Sequence, residues 1–241
     1  MKNFPHLMFF LALSILSCST DDQVNDLSTN EQIETTNKVS QRIASYSAEN
    51  RDNPFENTGR IYSAVLDEYD NAVIGSSLLN NIQTLEAVAN SFPDFMALKP
   101  GNHYTSVSYL TIKNILDNIY SFENALYDST LSNNGKYALT NFMVDLKSEV
   151  STQSRETVNA FVIDFENNLL LQNTLTANDL KIILTTTSIL RYANSYESNE
   201  DPDKKWGNIK VGIIAALNGL SHDTAKGVLS ASIVKILQEQ Q

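Results

Sequence analysis

From about residue 53 to the end of the chain, apolar residues return every three or four positions, and this period commits the segment to amphipathic helices. Ile61, Val65, Leu66, Tyr69 and Val73 make one stripe. Leu78, Ile82, Leu85, Ala89 and Phe92 make the next, with Ser76 or Ser77 as its N-cap and Pro93 as its stop. After a loop over 98–106, marked by Pro100-Gly101, a third stripe runs from Val107 through Leu110, Ile115, Ile119 and Phe122 to Leu126 and reads as a single helix. A break at Ser132–Gly135 precedes two more stripes: Tyr137, Phe142, Leu146 and Val150, then Val158, Phe161, Val162, Phe165 and Leu169. Thr176 with Asp179 forms a capping box for a helix through Leu184 to Tyr196.

Residues 197–205 form a polar connector. Trp206–Leu220 and Asp223–Leu237 then pair as a closing hairpin, within a small-residue segment of 203–241. Its glycines and alanines let two helix backbones approach closely, and its apolar spans are too short to favour crossing a membrane. Only 8 Gly and 5 Pro occur in 241 residues, which disfavours a turn-rich β fold. The expected architecture is all-α, a helical bundle of about six to eight helices. No repeat of 20 to 50 residues stands out.

The N-terminal part has a different character. Lys2 precedes a run of about ten apolar residues, Leu7 to Leu16, roughly half the length a spanning helix needs. Ser17 and then Cys18, the only cysteine, follow it. Residues 1–17 therefore read as a signal peptide, and 18–52 as a disordered polar tether rich in Ser, Thr, Asn and acids. Residues 53–241 form the helical domain. A single cysteine excludes an internal disulfide and a cysteine-based metal site.

Ile15-Leu16-Ser17-Cys18 resembles the lipobox of bacterial lipoproteins. The resemblance implies cleavage before Cys18, a diacylglycerol on its thiol and a further acyl chain, such as palmitate, on the new amine. Two or more chains give stable anchoring where one does not. Ser19-Thr20-Asp21-Asp22 is similar to the acidic stretch that follows the lipidated cysteine in lipoproteins of the Bacteroidota. It implies a place on the outer membrane, on its outer face or facing the periplasm. The implied membrane contact is the lipid on Cys18.

The formal net charge is −11, which makes nucleic acid a poor partner. No motif for a nucleophile or a phosphate loop is present, so no catalytic residue and no cofactor site is assigned. His103 sits in a Pro-Gly loop and His222 beside Asp223 at a helix start, and neither has metal-ligand spacing. Asp67, Glu68 and Asp70 cluster around one turn and offer the carboxylates an envelope hydrolase would use. The plainer reading makes them the solvated edge of the Leu66/Tyr69 stripe. Asp201 and Asp203 read as solvated beside Lys204 and Lys205.

NPFENTG, residues 53–59, remains to be placed. By its residues it is a rigid turn and a capped helix start that seats Phe55 and Tyr62 in the core. It also resembles the opening of a group of uncharacterised, mostly lipidated proteins of the Bacteroidota. They carry Asn-Pro-Tyr/Phe-Asp/Glu-x-x-Gly-x-x-His-Asn-x-x-Leu-Asp near the start of a helical domain. Asn53, Pro54, Phe55, Glu56, Gly59, Leu66 and Asp67 match, and the first five are the candidate interaction motif. The group's His-Asn pair falls on Tyr62-Ser63, so any chemistry of that pair is lost here. The expectation drawn is a lipid-anchored, non-catalytic envelope domain that binds an unknown protein or ligand. A carboxylate hydrolase and an immunity-type lipoprotein are the alternatives.

Overall fold

A computed structural model describes residues 48–69, 77–102, 106–196 and 201–239. Cys18, Asp70, Val73 and His103, with most of the expected tether, lie outside the described residues. The described residues contain ten α-helices and no strand. These are α1 (Glu56–Tyr69), α2 (Leu78–Asn90), α3 (Pro93–Ala97), α4 (Tyr109–Leu116), α5 (Phe122–Asp128), α6 (Asn133–Thr152), α7 (Arg155–Leu170), α8 (Ala177–Ser195), α9 (Pro202–Leu220) and α10 (Thr224–Glu239).

The starts follow capping chemistry. Ser77, Ser108, Ser121, Ser132, Ser154 and Thr176 each accept a hydrogen bond from the backbone N–H three residues on, which satisfies one orphan donor of the first turn. Thr176 and Asp179 form the reciprocal capping box that their spacing predicts. Pro93 ends α2 but occupies the first turn of α3, where its missing N–H costs nothing. Pro202 does the same for α9, so that helix takes up the last part of the expected connector.

The short α3 and one division raise the helix count above the expected six to eight, and one helix starts earlier than its stripe. Ser132–Gly135 is the capped first turn of α6 rather than a gap. The stripe from Val107 to Leu126 is two helices. Asn118 has φ 56°, its N–H donates to the Ile115 carbonyl at 3.1 Å, and the Ile119 N–H reaches back to the Asn114 carbonyl at 2.8 Å. This paired closure is a Schellman ending, with asparagine in the left-handed position it tolerates better than most residues. Ile119, expected on the buried stripe, is left 67 % exposed.

Helix α8 is the hub. Every residue from Ile182 to Tyr192 is buried, because α1, α6, α7, α9 and α10 all pack on it. Within its buried Thr-Thr-Thr-Ser run the Thr186 and Thr187 hydroxyls back-bond to the carbonyls of Ile182 and Ile183, and the Ser188 hydroxyl donates to α1. The α9–α10 hairpin closes as expected, with Gly219 so near the backbone of Lys226 and Gly227 that a Cβ would lie 2.4 Å from the Lys226 carbonyl. No helix among the described residues is long and apolar enough to cross a membrane. At the N-terminal side packing starts before residue 53, since Ala48 is fully buried and Asn50 nearly so.

Candidate functional site

The NPFENTG stretch points inward. The Asn53 side-chain oxygen accepts the Phe55 N–H at 2.8 Å, and its amide donates to the Leu184 carbonyl of α8 at 3.0 Å. The Gly59 N–H donates to the Ser188 hydroxyl at 3.1 Å, and that hydroxyl donates to the Glu56 carbonyl at 3.2 Å. A Cβ on Gly59 would meet the Ser188 hydroxyl at 2.4 Å and the Tyr192 ring at 2.5 Å, so only glycine permits this approach of α1 to α8. Pro54 is exposed, while Phe55 is half-buried against the core and Tyr62 is 1 % exposed. Ser63, the other residue at the His-Asn position, hydrogen-bonds the Tyr196 hydroxyl. The Asn53 side chain and the Gly59 N–H are thus used within the chain, while Asn57 is exposed.

Glu56 leads to an ion cluster. Arg191 on α8 is 0 % exposed and lies between two carboxylates. Its Nε donates to Glu166 on α7 at 3.1 Å, and its Nη groups donate to Glu56 on α1. Asn50 donates to the second Glu166 oxygen at 2.7 Å, and the Tyr192 hydroxyl donates to Glu56 at 2.9 Å. Two carboxylates face one guanidinium. Burial pushes the Glu166 carboxyl above the ordinary carboxylate range, and the Arg191 charge holds it back only in part. Burial and the adjacent Glu56 push the Tyr192 hydroxyl up to about 12. The cluster joins the chain before α1 to α1, α7 and α8. It meets the surface only at Glu56, in a shallow depression edged by Glu49, Arg51 and Arg60. This arrangement is a clamp, since Arg191 and Tyr192 direct their donors at Glu56 and Glu166 and so tie α1, α7 and α8 together.

A concave site lies elsewhere, along the seam of α6 and α7. It encloses about 550 Å³. Its floor is aromatic: the Phe142 ring of α6 stacks on Phe165 of α7, with centroids 4.2 Å apart, and lies near-parallel to Phe161 at 5.9 Å. The 3.6-residue period places Phe161 and Phe165 one turn apart on α7, and Phe142 enters between them. The rim is polar. Asn141 and Asp145 rise from α6, and Asp164, Asn168 and Gln172 from α7 and its end, all exposed. Among the described residues none of these five side chains has a hydrogen bond or ion pair. Tyr137, 70 % exposed, stands at the same rim.

The remaining expected residues are not brought together. Asp67 accepts a hydrogen bond from Tyr196 at 2.9 Å, Glu68 is exposed, and Asp70 lies outside the described residues. Asp201 accepts the Asp203 N–H at 2.8 Å and so caps α9. His222 is exposed in the turn before α10, where Asp223 accepts the Lys226 N–H at 2.7 Å. Among the described residues no group of three or more His, Cys, Asp or Glu is placed to hold a metal. Sequence reasoning missed Arg191 and Glu166 as partners. The available signal was a charge on each of two buried stripes, Glu166 between Val162 and Leu169, and Arg191 seven residues after Leu184. No protein family, curated protein or solved structure matches the chain.

Proposed function

We propose that this chain is a lipid-anchored protein of the cell envelope whose helical domain acts by binding rather than catalysis, with the α6/α7 groove as its seat. The groove carries the reading. It has an apolar aromatic floor within a rim that includes five polar side chains with no partner among the described residues, which is the composition of a recognition site. The anchor is supported by the lipobox at Ile15–Cys18 and the acidic Ser19–Asp22 that follows. The ion cluster at Glu56, Glu166 and Arg191 is assigned to stability.

Capture from envelope extracts tests the groove. Asn141→Arg with Asn168→Arg fills it from both walls without touching the core. A species retained by the wild type and lost by this variant is expected, and equal retention by both argues against the groove. The anchor is read separately by fractionation. Wild type stays with the membrane and Cys18→Ser is released, and a Cys18→Ser variant that fractionates like wild type refutes lipidation. Protease shaving of intact cells then reports which face of the outer membrane carries the domain.

A further inference from the structure

We infer that the α6/α7 groove takes an organic cation with an apolar body, an alkyl- or arylammonium. This rests on the reading of the groove as the domain's binding seat. The first support is charge. The lining includes two carboxylates, Asp145 on one wall and Asp164 on the other, and no Lys, Arg or His. Among the described residues Lys113 pairs with Asp117, and Arg60 and Arg51 flank Glu49. Asp145 and Asp164 have no ion pair among the described residues. In a chain of net charge −11 the groove is therefore an unneutralised negative site in a negative field, and it concentrates cations while repelling anions.

The second support is the floor. Phe161 and Phe165, backed by the buried Phe142, offer apolar surface in a concavity of about 550 Å³, within the range of small-ligand sites. A guest seated there draws water from both carboxylates. A neutral guest leaves them without compensation, whereas a cation replaces the lost hydration with charge pairing. Tyr137 adds an exposed aromatic face at the rim, a further attraction for an ammonium group. The rim amides of Asn141, Asn168 and Gln172 are left to select among cations by the donors and acceptors these carry.

The test uses the full chain labelled with ¹⁵N. Benzyltrimethylammonium is titrated in, with benzyl alcohol as the uncharged ring and maltose as a neutral polyol. The side-chain amides of Asn141, Asn168 and Gln172 are observed. The expected result is saturable shifts at these amides with the cation. The shifts weaken about five- to tenfold in Asp145→Asn/Asp164→Asn, whose substitutions are exposed and leave the fold intact. They weaken by a similar factor when salt rises from about 20 mM to about 300 mM. Equal shifts with benzyl alcohol or maltose, unchanged in the double variant, overturn the ligand class while leaving a binding groove. No shift with any probe also overturns the class. The Asn141→Arg/Asn168→Arg capture experiment then reads the groove itself: lost capture preserves it as a seat for other chemistry, and unchanged capture removes both readings.

Discussion

Replacing Arg191 by Met gives the most demanding test of the ion cluster. The substitution keeps an unbranched side chain in a site with no exposed surface and removes only the guanidinium. Glu166 then retains Asn50 as its hydrogen-bond donor but has no counter-charge, while Glu56 retains Tyr192 and the nearby Arg60 at the surface. Removing one partner of a buried pair costs about 3–5 kcal/mol, because the remaining charge stays desolvated. A domain is held by about 5–15 kcal/mol in all, so the loss is a large share of the total. Urea unfolding followed by helical circular dichroism measures it as a lower midpoint with an unchanged slope. The loss depends on pH. Burial already raises the Glu166 carboxyl, so the native state holds its proton to higher pH than the unfolded chain does. Stability from that group is present below the unfolded carboxyl range and is lost as pH rises through the raised native value. Without Arg191 the native value rises further, so the variant's deficit is smaller near pH 5 than near pH 8. Removing all three charges together, as Glu56→Gln/Glu166→Leu/Arg191→Met, is expected to recover most of the loss. A single-variant cost below about 1 kcal/mol, or a triple variant as unstable as the single one, would refute the clamp.

Two other substitutions probe how the helices are held. Gly59→Ala places a Cβ 2.4 Å from the Ser188 hydroxyl and 2.8 Å from the Ser188 carbonyl, so α1 must move off α8, and urea unfolding should show a loss of about 1–3 kcal/mol. Asp179 is fully buried. Burial pushes its carboxyl up, but hydrogen bonds from Ser132 and Thr176 outweigh this and hold it below the usual range. Its contribution is thus present above the unfolded carboxyl value and lost as pH falls through the lower native one. Asp179→Asn should lower the melting temperature at pH 7 and flatten its decline on the acid side. A parallel acid limb in wild type and variant would count against that role.

Much of the helical plan is legible in local chemistry. Ser77 and the Thr176/Asp179 box announce helix starts because a short oxygen side chain placed before an apolar stripe serves the first-turn donors directly. The closing hairpin is legible because Gly219 and Gly227 sit at the ends of two apolar stripes. The division between α4 and α5 is not. Ile115, Ile119 and Phe122 keep helical step across it, and the ending is made by backbone bonds around Asn118 that apolar spacing does not register. The ion cluster is equally hidden: Arg191 lies 135 residues from Glu56, and only tertiary packing joins them. The groove is half legible. Phe142, Phe161 and Phe165 are marked as apolar positions, but the pattern treats every such position as core. That the seam between α6 and α7 stays uncovered depends on where the other helices go.

The bonds of Asn50 and Asn53 have a mechanical consequence. Any pull applied from the N-terminal side of the domain arrives first at Asn50, held to Glu166 of α7, and then at Asn53, held to Leu184 of α8. Tension is therefore delivered to the central helices before it can peel α1 from its neighbours. The Asn53 bond and the Gly59–Ser188 contact beyond it load together, as a short brace would, instead of opening one after another like a zip. A domain tugged by its leading segment would resist as a block, with α7, one wall of the α6/α7 groove, among the first elements to bear the load.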